Sequence, residues 1–123
     1  MRVYLCGSFQ FKDMIEELEG RLRKEGVESL VSKKMDDRGI IGCLEKIDKA
    51  DIVYIVNPNG YVGKSVSADI GYAYARNKSI YVMNQIDDPP VMNLVKAVRS
   101  FEELLSITRG HVCSDGASCA PKS

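Results

Sequence analysis

The sequence has no surplus of charge of either sign: 17 Lys and Arg balance 17 Asp and Glu over 123 residues. A protein that grips nucleic acid through its phosphates needs an excess of cations. Zero net charge therefore argues against nonspecific binding to a nucleic-acid polymer, though not against a small anion held at one site. Long hydrophobic runs are also missing. No apolar stretch approaches the roughly 20 residues that cross a bilayer, so no membrane role is expected. The run Met1–Cys6 is too short for a signal peptide and reads as a first strand. Cysteine is scarce, at four residues, and free thiols in the cytoplasm are expected rather than a disulfide frame. His111, Cys113 and Cys119 are irregularly spaced and fall short of the four ligands of a structural zinc site, so no metal is expected.

What remains is an ordinary globular composition, 45% hydrophobic and 28% charged. A chain of this size builds one core without covalent staples. Arg2 to Cys6 reads as a buried strand, followed by a turn over Gly7 to Phe11. Lys12 to Lys24 carries Met14, Ile15, Leu18 and Leu22 at helical spacing and stops at Gly26. Val27 to Val31 is the second strand, and Arg38 to Lys49 a helix with Ile40, Ile41, Leu44 and Ile47 as its stripe. Asp51 to Val56 is the most apolar strand and so the expected centre of the sheet. A helix over Ser65 to Asn77, a strand over Ser79 to Met83, and a break at Asp87-Asp88-Pro89-Pro90 follow. Met92 to Ala97 reads as a short helix or irregular segment, Val98-Arg99 as an edge strand and Phe101 to Ile107 as a last helix.

Strands alternating with helices imply a parallel sheet covered on both faces. The expected architecture is a flavodoxin-like three-layer α/β/α fold with about five parallel strands in the order 2-1-3-4-5. Residues 1–109 form this domain, and 110–123, small and polar, a flexible tail. The switch point then falls between strands one and three. Their following loops, Gly7 to Phe11 and Asn57 to Lys64, face one crevice at the carboxyl edge of the sheet, where such folds bind ligands.

The second of these loops leads into a helix. Gly63-Lys64-Ser65 ends like a nucleoside-triphosphate loop, but the glycine required five positions earlier is Pro58. A phosphoacceptor receiver domain would need an acidic pair after strand one and an Asp ending strand three; this chain has Cys6-Gly7-Ser8 and Val56-Asn57. The helix start itself is the stronger feature. Its unpaired N–H groups and positive dipole end suit an anion, and Ser65 is placed to cap it. Asp69 stands one turn further in, on the face of Ser65, Tyr72 and Ala73. Asp is a mediocre helix former, and an ionised carboxylate in a crevice can attack an electrophilic carbon. Tyr72, Tyr74 and Tyr81 read as packing, and Met83, Val91 and Met92 as core or interface.

Two segments together, Val3-Tyr4-Leu5-Cys6-Gly7-Ser8 and Gly63 through Ala73, resemble the nucleoside 2-deoxyribosyltransferase family, which includes 2′-deoxynucleoside 5′-phosphate N-hydrolases. The resemblance covers residues 1 to about 108. It implies a flavodoxin-like domain acting on a small nucleoside or nucleotide through a covalent sugar–carboxylate intermediate, without a cofactor. It puts Asp69 in the place of the nucleophile and Tyr4 in that of a tyrosine assisting it. Gly7 and Ser8, with Phe9 beside them, match the loop touching sugar and phosphate. Ser65 falls near the 5′ end of the ligand, and Asn59, Gly60, Tyr61 and Gly63 lie along the sugar or base pocket. A homodimer is also implied, with Pro89 to Val95 as the candidate contact.

The chain departs from the family pattern twice. The family nucleophile is usually Glu, one methylene longer than Asp69, and a misplacement of about 1 Å costs on the order of a hundredfold in rate. Where the family has an Asp contacting sugar or base, this chain has Cys43; Asp48 lies over a turn away and need not point the same way, and Asp37 is a possible substitute. The alternatives are a catalytically impaired nucleotide-binding module of the same fold, or an interaction protein without a ligand.

Overall fold

In the computed structural model of the chain, residues 1–31 and 40–110 are described, Ile40 by its backbone alone. Asp37 and the segment His111 to Ser123, with Cys113 and Cys119, lie outside the described residues. Five strands form one sheet: β1 (Arg2–Cys6), β2 (Glu28–Val31), β3 (Ile52–Ile55), β4 (Ser79–Val82) and β5 (Ala97–Val98). Every pairing is parallel and the order is β2-β1-β3-β4-β5. This is the flavodoxin-like arrangement expected from the alternation of strands and helices. Between the strands lie α1 (Lys12–Lys24), α2 (Ile40–Lys49), α3 (Lys64–Ala75) and α4 (Pro89–Met92), with α5 (Phe101–Thr108) last.

β3 sits in the middle, and all four of its residues are buried. A strand covered on both faces reads as an unbroken apolar run, which Ile52-Val53-Tyr54-Ile55 is. Successive side chains of a strand point to opposite faces. Val3 and Leu5 accordingly join one core with Ile15, Leu18 and Leu22 of α1 and Phe101, Leu104 and Leu105 of α5. Tyr4 and Cys6 join the other, with Ile47 of α2 and Val66, Ile70 and Ala73 of α3. That alternation decides which β1 side chains can meet Asp69: residues 4 and 6, not 3 and 5.

The helix ends have local causes. At the end of α1, Gly26 takes φ +76°, the Gly26 N–H donates to Arg23 O and the Val27 N–H to Leu22 O. These two bonds close a Schellman turn, which requires a left-handed residue. α3 ends the same way on Asn77 at φ +61°, with Lys78 N–H donating to Ala73 O. The helix expected to run through Asn77 therefore stops two residues earlier. Ser100 and Glu103 form a reciprocal capping box at the start of α5.

Several expectations need correction. The short helix after the break starts at Pro89, not Met92, because Asp88 caps it through Val91 N–H and proline is tolerated in a first turn. The edge strand is Ala97–Val98, one residue earlier than expected. Met14 and Ile41 are exposed rather than part of their helices' buried stripes, and Tyr74 is 57% exposed, so it is not packing. Ser65 does not cap α3. Gly63 holds the cap position and Ser65 is the second helical residue, exposed on the first turn.

Candidate active site

The carboxyl edge of the sheet is closed tightly between β1 and β3. Cys6 and Ile55 are partners in register, and Val56 N–H donates to Cys6 O at 2.7 Å just beyond them. Gly7 follows directly. A Cβ at Gly7 would stand 2.8 Å from the Val56 carbonyl oxygen and 3.2 Å from Ile15 Cδ1, so only glycine fits. The loop leaving β1 is thereby pressed against the end of β3, as a shared crevice requires. Ser8 and the one-turn 3-10 helix Phe9–Phe11 carry that loop away; Phe9 is 44% exposed, and the Ser8 hydroxyl does not cap the turn.

The loop after β3 is braced by asparagines. Asn57 is fully buried; its Nδ2 donates to Asn84 O at 2.7 Å and its Oδ1 accepts from Asn84 N–H at 3.0 Å. Asn84 answers, its Nδ2 donating to the carbonyls of Asn57 and Pro58 at 3.1 and 2.9 Å. Asn59 Oδ1 accepts from Tyr61 N–H, and Gly60 takes φ +82°, where a Cβ would stand 2.9 Å from Gln85 O. Asn59 and Gly60 thus shape the turn that delivers Tyr61. The Tyr61 hydroxyl would lie 3.2 Å from a Cβ on Gly63, so the ring lies against the start of α3 while half of it remains exposed.

One turn into α3, Asp69 points inward. It is 4% exposed on a helix whose other buried residues are Val66, Ile70 and Ala73. Its Oδ2 accepts a hydrogen bond from Cys6 Sγ at 3.3 Å. Its Oδ1 is buried without a hydrogen-bond partner. Leaving a buried acceptor unpaired costs about 1–3 kcal/mol. Burial pushes the Asp69 carboxyl up from 3.8 to about 6, against a smaller opposing effect of the Cys6 thiol. The same burial, and then the Asp69 charge, drive the Cys6 pKa well up, so Cys6 is a neutral thiol.

Tyr4 completes the cluster, 1% exposed beneath Cys6 on the same strand face. Burial first, then Cys6 and Asp69, raise its pKa far above the phenol range, so its hydroxyl keeps its proton. That hydroxyl meets two thiols: Cys6 on its own strand and Cys43 on α2. β1, α2 and α3 therefore bring Tyr4, Cys6, Cys43 and Asp69 together in the core beneath the carboxyl edge of the sheet. Asp48, over a turn from Cys43, faces elsewhere. Both of its carboxyl oxygens accept from the Tyr72 hydroxyl at 3.0 Å, and it pairs with Arg76 Nε at 2.9 Å.

Two contributors escaped the sequence reading. Cys6 was visible in principle, since it stands two residues after Tyr4 on one strand and so on the same face. The Asn57–Asn84 brace had no local signal, because its partners are 27 residues apart.

No protein-family model matches the sequence, and none of the curated proteins matches it. Solved structures do share its fold. A conserved protein from Enterococcus faecalis V583 superposes with a TM-score of 0.70 at 15% identity, over 91% of this chain and 99% of that one. The CMP N-glycosidase of Clostridium botulinum gives 0.59 at 18% identity, over 89% and 98%. A 2-deoxyribosyltransferase from Bacillus psychrosaccharolyticus gives 0.65 at 15% identity, over 85% and 90%. At such identities the likeness defines the class of fold, a flavodoxin-like α/β domain, and goes no further. No helix among the described residues is long and apolar enough to cross a membrane.

Proposed function

We propose that the chain cleaves, or transfers across, the N-glycosidic bond of a small nucleoside or nucleotide, with Asp69 as the nucleophile. The observation that carries this reading is the buried Asp69 carboxylate at the carboxyl edge of the sheet, one oxygen held by Cys6 and the other unpaired. A group so costly to bury is found where function requires it. With its pKa raised to about 6, Asp69 is still roughly nine-tenths ionised at pH 7 and more basic than a surface carboxylate. Fold neighbours that include an N-glycosidase and a deoxyribosyltransferase support the same chemistry.

In the first step, an electron pair on Asp69 Oδ1 forms an ester bond to the anomeric carbon. The bond from that carbon to the base nitrogen breaks, and its pair leaves with the base, which takes up a proton from water. Water or a second base then attacks the same carbon and frees the carboxylate. Tyr4 keeps its proton and steadies the cluster beneath Asp69. Gly7, Ser8 and Phe9 on one lip, and Asn59, Gly60, Tyr61, Gly63 and Ser65 on the other, hold sugar, phosphate and base. Backbone N–H groups at the start of α3 suit a 5′-phosphate.

Incubation with deoxynucleosides and their 5′-monophosphates, followed by chromatography for free base, tests this. Release that disappears in Asp69→Asn supports the reading; release that persists in that variant ends the role of Asp69.

One observation favours a second reading, a nucleotide-binding module without catalysis. Retaining glycosyl chemistry normally uses two carboxyl groups. Asp48 is committed to Tyr72 and Arg76, and Cys43 stands where the resemblance places an Asp. This reading predicts that nucleotides raise the melting temperature while no base is released.

A further inference from the structure

We propose that Cys6 is a positioning residue: its thiol fixes one oxygen of Asp69 and leaves the other, buried and unpaired, as the atom that attacks when substrate enters. This rests on the reading of Asp69 as the nucleophile.

An aspartate carboxyl rotates over a broad range, and its two oxygens are chemically equivalent. A single hydrogen bond removes that equivalence. Cys6 Sγ lies 3.3 Å from Oδ2, while Oδ1 has no partner. The donor is rigidly placed. Cys6 is the last residue of β1, 2% exposed, with its carbonyl bound to Val56 N–H across the sheet. A group on a strand holds its position better than one on a loop. A thiol is also a weak donor. It can set the rotation of the carboxylate without withdrawing the negative charge the attack needs, as an arginine or lysine would.

The surroundings favour the same role. The groups that face the pair are Tyr4 from β1 and Cys43 from α2, both of which act on the Cys6 thiol. Cys6 is thus the link between Tyr4 and Asp69: Tyr4 meets the sulfur, and the sulfur meets the carboxylate. The proton on Cys6 stays on sulfur throughout. The new bond takes its electron pair from Oδ1, and the base leaves with the pair of the broken bond.

Steady-state base release and the carboxyl titration of Asp69, followed by carbon NMR, are to be compared in wild type, Cys6→Ala and Cys6→Ser. Loss of the donor in Cys6→Ala should lower kcat by about tenfold or more while KM stays within about twofold. The Asp69 titration should move to higher pH, because the bond that favours the charged form is gone. Cys6→Ser restores a donor and should recover most of kcat and return the titration toward its wild-type position. Wild-type kcat in Cys6→Ala overturns the proposal, as does a serine variant no better than the alanine one with an unmoved titration. If Cys6→Ala does not fold by circular dichroism, the serine variant decides alone: a titration at or below the wild-type position supports the hydrogen bond, and one raised above it overturns it. If wild type releases no base from any substrate, the glycosidic reading is lost. The Asp69 titration of Cys6→Ala still tests the pairing, which an unmoved value would sink.

Discussion

Gly7 and Val56 touch so closely that a methyl group on Gly7 would stand 2.8 Å from the Val56 carbonyl oxygen. The neighbour is backbone at the end of the central strand, and it cannot swing aside. Gly7→Ala should therefore push the β1 loop off β3 and destabilise the fold by about 1–3 kcal/mol, the usual range for overpacking. Because the proposed function puts the same loop on one lip of the site, base release should fall more than stability alone explains. Denaturant unfolding and kcat/KM measured on the folded fraction separate the two effects.

Asn57 and Asn84 brace the loop after β3. Asn57 is fully buried and satisfies both the N–H and the carbonyl of Asn84. Asn57→Ala leaves two backbone groups without partners, and each such loss costs about 1–3 kcal/mol where the site stays dry. A fall of several degrees in Tm is expected. Hydrogen exchange should quicken at Asn84 N–H, whose acceptor is removed, while amides in β1 and β2 keep their relative protection.

The sheet was legible because buried parallel strands read as apolar runs and alternate with amphipathic helices. Asp69 stood out through its neighbours on the helix and Tyr4 through the family resemblance alone; the structure buries both beside Cys6. What the sequence hid was mostly long-range. Cys6 and Asp69 are 63 residues apart, and no local pattern pairs them. Ser65 looked like a cap because serine prefers that position. Yet α3 begins one residue earlier at Lys64, and Gly63 takes the cap position. Tyr74 looked like core because aromatics usually are, but its place on α3 turns it outward.

Burial of Asp69 has a consequence for stability. Its carboxyl titrates at about 6 in the fold against 3.8 ordinarily, so between those values the folded state binds more protons than the unfolded one. Stability from this group is therefore highest below pH about 4, falls as pH rises toward 6, and stays low above it. Asp69→Asn removes the charged form altogether. The variant is expected to melt a few degrees above wild type at pH 7.5, and the gap should shrink as pH drops below 5. A neutral amide still has to be buried, which keeps the gain below the full cost of the charge. An equal or lower Tm at pH 7.5 would show that the fold already compensates the carboxylate.

Asp48 supplies the last test, because it is the described acidic residue on α2 over a turn from Cys43, where the resemblance places an Asp. Its carboxyl is bound by the Tyr72 hydroxyl and Arg76, and its backbone carbonyl by Lys78 Nζ, all on the outer side of α2 and α3. These groups are largely solvent-exposed, and exposed ion pairs contribute about 0–1 kcal/mol. Asp48→Ala should lower stability by no more than that and leave kcat/KM for base release within about twofold of wild type. Its effect on Tm should also weaken in high salt, as screening removes the attraction to Arg76. A loss of a hundredfold or more in kcat/KM, with the fold intact, would instead make Asp48 a second catalytic carboxylate and require α2 to turn its inner face differently when substrate binds.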